Sequence, residues 1–147
     1  MTLAVHFING PNLNRLGTRE PDVYGRQTLA DIEAVVRVVG GADITFRQSN
    51  VEGELVDFIH QAADAGAAIV INPAAYTHTS VALHDALKSV DVPSVEIHLS
   101  QPAKRETFRQ RSLVAEAVTG TISGFGAQSY ILGLHAAVNL LKARNGQ

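Results

Sequence analysis

Ala67-Ala-Ile-Val-Ile-Asn-Pro73 is a continuous apolar run of strand length, closed by Asn72-Pro73. A strand that is apolar on both faces belongs inside a parallel sheet covered by helices above and below. Just upstream, Leu55, Ile59, Ala62 and Ala63 mark a helix ended by Gly66. Just downstream, residues 80–89 read as another helix. Further back, residues 2–9 form a short apolar strand stopped at Asn9-Gly-Pro11, and residues 44–48 form a second strand. Between them Leu29, Ile32, Val36 and Val39 fall at helical spacing, behind a Thr28-x-x-Asp31 cap and ahead of Gly40-Gly41. Further forward come a strand at 94–99, a short helix near 104–109, a strand at 119–123 and a long apolar helix at 127–143.

Strands that alternate with helices predict an α/β chain. Five such units in 147 residues predict a flavodoxin-like, doubly wound, five-stranded parallel sheet of strand order 2-1-3-4-5. The length fits one domain, residues 1–147. Hydrophobic residues at 46% and charged residues at 18% argue against disorder. Lys+Arg 12 against Asp+Glu 14, without basic runs, argues against a nucleic-acid partner. Cys 0 removes disulfides, thiolate metal sites and a Cys nucleophile together. No apolar run reaches about 18 residues, and the N-terminus lacks the basic start of a signal peptide, so no membrane span and a cytoplasmic location are expected.

Ligands of an open α/β sheet bind beyond the carboxyl ends of its strands. Strand one delivers Asn9, Asn12 and Asn14 there, strand three Asn72, Tyr76, Thr77 and His78, and strand four Glu96, His98, Ser100 and Gln101. In the proposed order these three strands are neighbours, so the sets meet in one cleft. Glu96 and His98 stand two apart, hence on one face of a strand, opposite Val95 and Ile97. A carboxylate there holds the imidazole and favours its protonated form, as a general acid near neutral pH requires. A structural ion pair at a strand end is the other reading.

The polar stretch from Leu13 to Arg26 carries Arg19 and Tyr24. A phenol of pKa about 10 is ionised about once in a thousand at pH 7. A guanidinium about 4 Å away contributes about 4 kcal/mol at an effective dielectric of 20, enough to support a tyrosinate base if the loop excludes water. An ordinary solvated loop fits the composition equally. His6, His60, His84 and His135 read as packing or solvent-facing residues. Gly124-x-Gly126 is no dinucleotide loop, since Ser129 holds the third glycine position and only about 20 residues follow. The last helix is apolar around much of its circumference (Ile131, Leu132, Leu134, Val138, Leu140, Leu141), which suggests a subunit interface. Two other functions share this fold: a flavin or nucleotide module, and a metal-dependent hydrolase built on His78, His98, Glu96 and Asp85.

Asn9-Gly-Pro-Asn-Leu-Asn14, Gly17-Thr-Arg-Glu-Pro21 with Tyr24-Gly25, Arg47-Gln-Ser-Asn50 and Glu52-Gly-Glu-Leu55 form one set of motifs. Ile71-Asn-Pro73, Ala75-Tyr-Thr-His-Thr-Ser80, Glu96-Ile-His-Leu-Ser100 and Arg105-Glu-x-Phe-Arg109 form a second. Together, in this order over nearly the whole chain, they make the sequence resemble type II 3-dehydroquinate dehydratase. The resemblance implies the same flavodoxin-like fold and a homododecamer of four trimers, without cofactor or metal. It implies anti dehydration of 3-dehydroquinate to 3-dehydroshikimate through an enolate, a step of the shikimate or quinate pathway.

The resemblance also implies roles. Tyr24 is the base, Arg19 favours its phenolate, and Asn12 holds a water against the enolate. His98 protonates the departing hydroxyl, with Glu96 orienting it. Asn72, His78 and Arg109 contact substrate hydroxyls and ring, and the amides of Leu99 and Ser100 bind its carboxylate. Asp85 completes a neighbouring subunit's site. Lys88, Lys104 and Lys142 fall outside the cleft, unlike the Schiff-base lysine of the unrelated type I enzymes. Arg15, Ala74, residues 101–104 and Ser129 depart from the family's usual pattern.

Overall fold

The computed structural model describes residues 2–18, 22 and 26–147. Its centre is β3 (Ala68–Asn72), every residue of which is buried. β1 (Ala4–Asn9) lies on one side of β3, with β2 (Asp43–Gln48) beyond it. β4 (Ser94–His98) lies on the other side, with β5 (Gly120–Ser123) beyond it. All four pairings are parallel and the strand order is the expected 2-1-3-4-5.

Four α-helices are present among the described residues: α1 (Leu29–Val39), α2 (Glu52–Asp64), α3 (Val81–Ser89) and α4 (Gln128–Arg144). The cap read from the sequence opens α1: the Asp31 N–H donates to Thr28 Oγ1 (3.1 Å) and the Thr28 N–H to Asp31 Oδ2 (3.0 Å). Gly40 ends that helix at φ 64°, a conformation that costs glycine little. Ser80 caps α3, its hydroxyl accepting from the Leu83 N–H at 2.9 Å.

The alternation of side chains along the strands builds two apolar layers. On one face Val5, Phe7, Val70, Val95 and Ile97 pack against Ile32 and Val36 of α1 and Tyr130, Leu134 and Leu141 of α4. On the other, Ile8, Ile69 and Ile71 meet Leu55 and Ile59 of α2 and Leu83 and Leu87 of α3. Helix α4 comes close to the sheet at Gly133, where an added Cβ would lie 2.9 Å from Ile97 Cγ2 and 3.0 Å from Val70 Cγ1. Leu132, on its other side, is 37% exposed. No helix among the described residues is long and apolar enough to cross a membrane.

One expectation changes in detail. The short helix near 104–109 is a pair of 3-10 turns, Pro102–Lys104 and Thr107–Gln110, separated by an extended Glu106 at ψ 153°. Helix α2 contains the expected Leu55, Ile59, Ala62 and Ala63, and its first turn, from Glu52, is polar.

Candidate functional site

The carboxyl ends of β1, β3 and β4 open into one cleft of about 510 Å³, part of it continuous with solvent. Asn12 and Leu13 enter it from β1, Asn72, Ala74 and His78 from β3, and His98, Leu99 and Ser100 from β4. Pro102, Arg105 and Arg109, from the turns after β4, close the remaining side. Of the residues singled out in the sequence, Asn12, Asn72, His78, His98, Leu99, Ser100 and Arg109 therefore meet in one place. Glu96 stands directly behind His98. Arg19 and Tyr24 lie outside the described residues.

The acidic centre of the site is Glu96, only 1% exposed. Its Oε2 accepts from His98 Nε2 at 2.5 Å and from the Thr77 hydroxyl. Ser112 Oγ donates to Oε1 at 3.1 Å and is itself 2.6 Å from Thr77 Oγ1. Burial pushes the Glu96 carboxyl up, but the His98 hydrogen bond and charge, with the Thr77 and Ser112 hydroxyls, outweigh it and hold the group below the usual carboxylate range. His98 thus rests on an ionised partner, and its other ring nitrogen is left for the cleft. Thr77 was read among the residues at the end of β3, but its bond to Glu96 was not, and Ser112 was not legible at all, because a hydroxyl on a turn carries no signal until the fold sets it beside a carboxylate.

Asn12 adopts the left-handed conformation, φ 69°. The side chain of Asn50 holds it there: Asn50 Oδ1 accepts from the Asn12 N–H at 2.9 Å and from Gln48 Nε2 at 3.1 Å. Gln48 Nε2 also donates to the Gly10 carbonyl at 3.1 Å, and Tyr76 donates to the Asn50 carbonyl at 3.0 Å. The Arg47–Asn50 motif is therefore a brace for the β1 loop. Gly10 is required by the close approach of that loop to β3, since an added Cβ would lie 2.6 Å from the Pro73 carbonyl oxygen.

His78 Nδ1 donates to the Arg111 carbonyl at 2.7 Å, which directs Nε2 away from it. Arg109 lies over Phe108, 4.6 Å from the ring centroid, and its Nε donates to Glu106 Oε1 at 2.9 Å. Arg105 Nη1 reaches Ser100 Oγ at 3.4 Å. Two guanidiniums and two imidazoles facing one cleft suit a ligand that carries a carboxylate. Asp85 is elsewhere, exposed on α3 and outside its own chain's cleft. The four-residue set of the metal reading is therefore not assembled, and among the described residues no group of three or more His, Asp or Glu could hold a metal ion.

The departures have local explanations. Ala74 sits at φ 51°, a region natural to glycine, and its N–H is held by Asn72 Oδ1 at 3.1 Å. Ser129 is fully buried and its hydroxyl accepts from the Phe125 N–H at 3.2 Å. Gln101 Oε1 accepts from Ser123 at 2.8 Å, joining the turn after β4 to β5. Arg15 is exposed, while its neighbours Leu13 and Leu16 carry the packing. Among the histidines set aside, His84 Nδ1 donates to the Leu113 carbonyl at 2.7 Å, while His60 and His135 are exposed.

Comparison with known proteins agrees with this fold. Residues 3–138 match the family model described as dehydroquinase class II. A 3-dehydroquinate dehydratase of Sinorhizobium medicae is 57% identical over 143 residues, covering 95% of this chain and 97% of that one. One from Maricaulis maris is 56% identical over 144 residues, covering 96% and 99%. The crystal structure of a type II dehydroquinase from Propionibacterium acnes superposes with a TM-score of 0.91 at 43% identity, covering 95% of this chain and 98% of the other.

Proposed function

The chain belongs to the class II dehydroquinase family and dehydrates 3-dehydroquinate, and we propose that the residues gathered at the β1, β3 and β4 ends divide that reaction as follows. The Tyr24 phenolate, favoured by the Arg19 guanidinium, removes a proton alpha to the ketone. The electron pair of the broken C–H bond moves to the ketone oxygen, giving an enolate. Asn12 holds a water against that oxygen. Collapse of the enolate expels the hydroxyl beta to the ketone. His98 donates a proton to it, so it leaves as water and the product is the conjugated enone 3-dehydroshikimate.

The other residues bind and orient. Asn72, His78 and Arg109 contact the substrate's hydroxyls and ring, and the backbone amides of Leu99 and Ser100 receive its carboxylate beside Arg105. Asp85 serves the site of a neighbouring subunit in a trimer, four of which form a dodecamer. No cofactor is required, because the ketone itself stores the electron pair between the two steps.

The observation that carries this reading is His98 in the cleft with the buried Glu96 carboxylate 2.5 Å behind it. General acid and base groups typically contribute about 10²–10⁴-fold each. The test is incubation with 3-dehydroquinate while the absorbance of a conjugated enone is followed. Wild type should produce it, and Tyr24→Phe should fold normally yet lose nearly all turnover. Substantial remaining dehydration in Tyr24→Phe would remove Tyr24 from the role of base. Arg19→Lys should also be slow, since a flexible ammonium does not reproduce a fixed planar partner.

A further inference from the structure

Below the cleft floor runs a chain of hydrogen bonds that the reaction does not use directly. β1 and β3 are paired with Asn9 opposite Asn72. Both side chains point to the α4 face, where Tyr130 meets them. The Tyr130 hydroxyl donates to Asn9 Oδ1 at 2.6 Å and accepts from Asn72 Nδ2 at 3.0 Å. Asn9 Nδ2 continues the chain to the Arg47 carbonyl at 2.9 Å, and Asn72 Oδ1 ends it by accepting from the Ala74 N–H at 3.1 Å. Asn9 and Tyr130 are fully buried, and Asn72 is 3% exposed.

The two ends of this chain fix every proton in it. A carbonyl only accepts, so Arg47 takes the amide nitrogen of Asn9 and turns its oxygen toward Tyr130. The hydroxyl must then donate to Asn9, which leaves its lone pair for the amide nitrogen of Asn72. At the other end a backbone N–H only donates, so Ala74 takes the oxygen of Asn72. Both ends therefore demand the same orientation of the Asn72 amide. Its second N–H is the one left for the cleft that Asn72 lines. Burial pushes the Tyr130 phenol far up, so it stays a hydroxyl and does not act as a second base.

We infer that Tyr130 is a positioning residue for the reaction: its hydroxyl fixes the Asn72 side-chain amide with one N–H aimed at the substrate. The inference rests on the reading of Asn72 as a substrate contact. Tyr130→Phe removes one oxygen and keeps the ring, which stacks on Phe7 at 6.1 Å and meets Phe46 at 6.2 Å. Asn72 is then held from the Ala74 side alone.

The experiment is a double-mutant cycle on kcat/KM with Tyr130→Phe and Asn72→Ala, unfolding midpoints being measured in parallel. Tyr130→Phe should lower kcat/KM about tenfold in the native background and by less than about twofold when Asn72 is already Ala. A lesion of general packing would instead multiply with Asn72→Ala. Multiplying losses, or a Tyr130→Phe protein as active as wild type, overturns the inference and leaves Asn72 as a contact. An Asn72→Ala protein of normal kcat/KM removes the contact itself and the inference with it. Should Tyr130→Phe not fold, Asn9→Ala takes its place: it keeps Tyr130 and Asn72 and deletes the acceptor that orders the hydroxyl, together with the Asn9 donor to the Arg47 carbonyl. Its loss of kcat/KM should likewise vanish in the Asn72→Ala background, and persistence there overturns the inference.

Discussion

Glu96 is a carboxylate with 1% exposure, and it is tolerated because His98, Thr77 and Ser112 all point donors at it. Its folded-state pKa lies below the ordinary value of 4.5. The sign follows: the ionised form is favoured by folding, so its stabilisation is present above about pH 4.5 and is lost as pH falls through the lower folded value. Glu96→Gln should therefore flatten the loss of urea stability on acidification below about pH 4.5, and acid slopes equal to wild type would show the carboxylate to be unperturbed. His98→Ala tests the neighbouring step. If His98 serves the departing hydroxyl, exchange of the alpha proton with solvent should persist while dehydration falls by about 10²–10⁴-fold, and equal loss of both would make His98 a binding residue. The spacing of two between Glu96 and His98 was legible because a strand puts such residues on one face. Ser112 was not, nor were the partners of Thr77 and Asn50, because each meets its partner through an element distant in sequence. Asn12 and Asn72 were legible as strand-end amides, but the conformation of Asn12 depends on Asn50, and that of Asn72 on Ala74 and Tyr130.

At the level of elements, periodicity carried most of the fold. The five strands and four helices stand where hydrophobic spacing, a capping box and glycine stops put them. It misled where hydrophobic period is absent, in the two 3-10 turns after β4. Helical glycines show what period cannot reveal. Gly53 in α2 has nothing within 4 Å of an added Cβ, whereas Gly133 in α4 has Ile97 Cγ2 at 2.9 Å and Val70 Cγ1 at 3.0 Å. Both would gain about 0.5–1 kcal/mol of helix propensity as Ala. Only Gly133→Ala would also press stiff β-branched side chains apart, at about 1–3 kcal/mol. Thermal or urea unfolding should then show Gly53→Ala stabilised and Gly133→Ala unchanged or destabilised. Two substitutions of equal effect would mean that α4 can lift from the sheet without cost.

At the scale of the whole molecule, the apolar side chains left outside bear on assembly. Val81 on α3 is 60% exposed and Phe108 beside Arg109 is 61% exposed. Asp85 shares the α3 surface with Val81 and lies outside its own chain's cleft. A helix surface that exposes a Val beside an acid, and a cleft rim that carries Arg109 beside an exposed Phe, are complementary in character, as a contact between like subunits requires. If α3 of one subunit meets the cleft rim of the next, Asp85→Ala should lower kcat/KM although Asp85 touches no substrate in its own chain. It should do so with little change in the unfolding midpoint of the assembled protein. Tyr24→Phe would be inactive for a different reason, in a different half of the same composite site. Unfolding and refolding the two variants together at equal amounts should yield about a quarter of the sites with an intact Tyr24 from one chain and an intact Asp85 from another. Activity should rise in the mixture well above that of either parent. Separately refolded parents combined afterwards should show no such rise, which distinguishes shared sites from simple addition. A mixture no more active than its parents, or a fully active monomer at working concentration, would mean that each chain completes its own site.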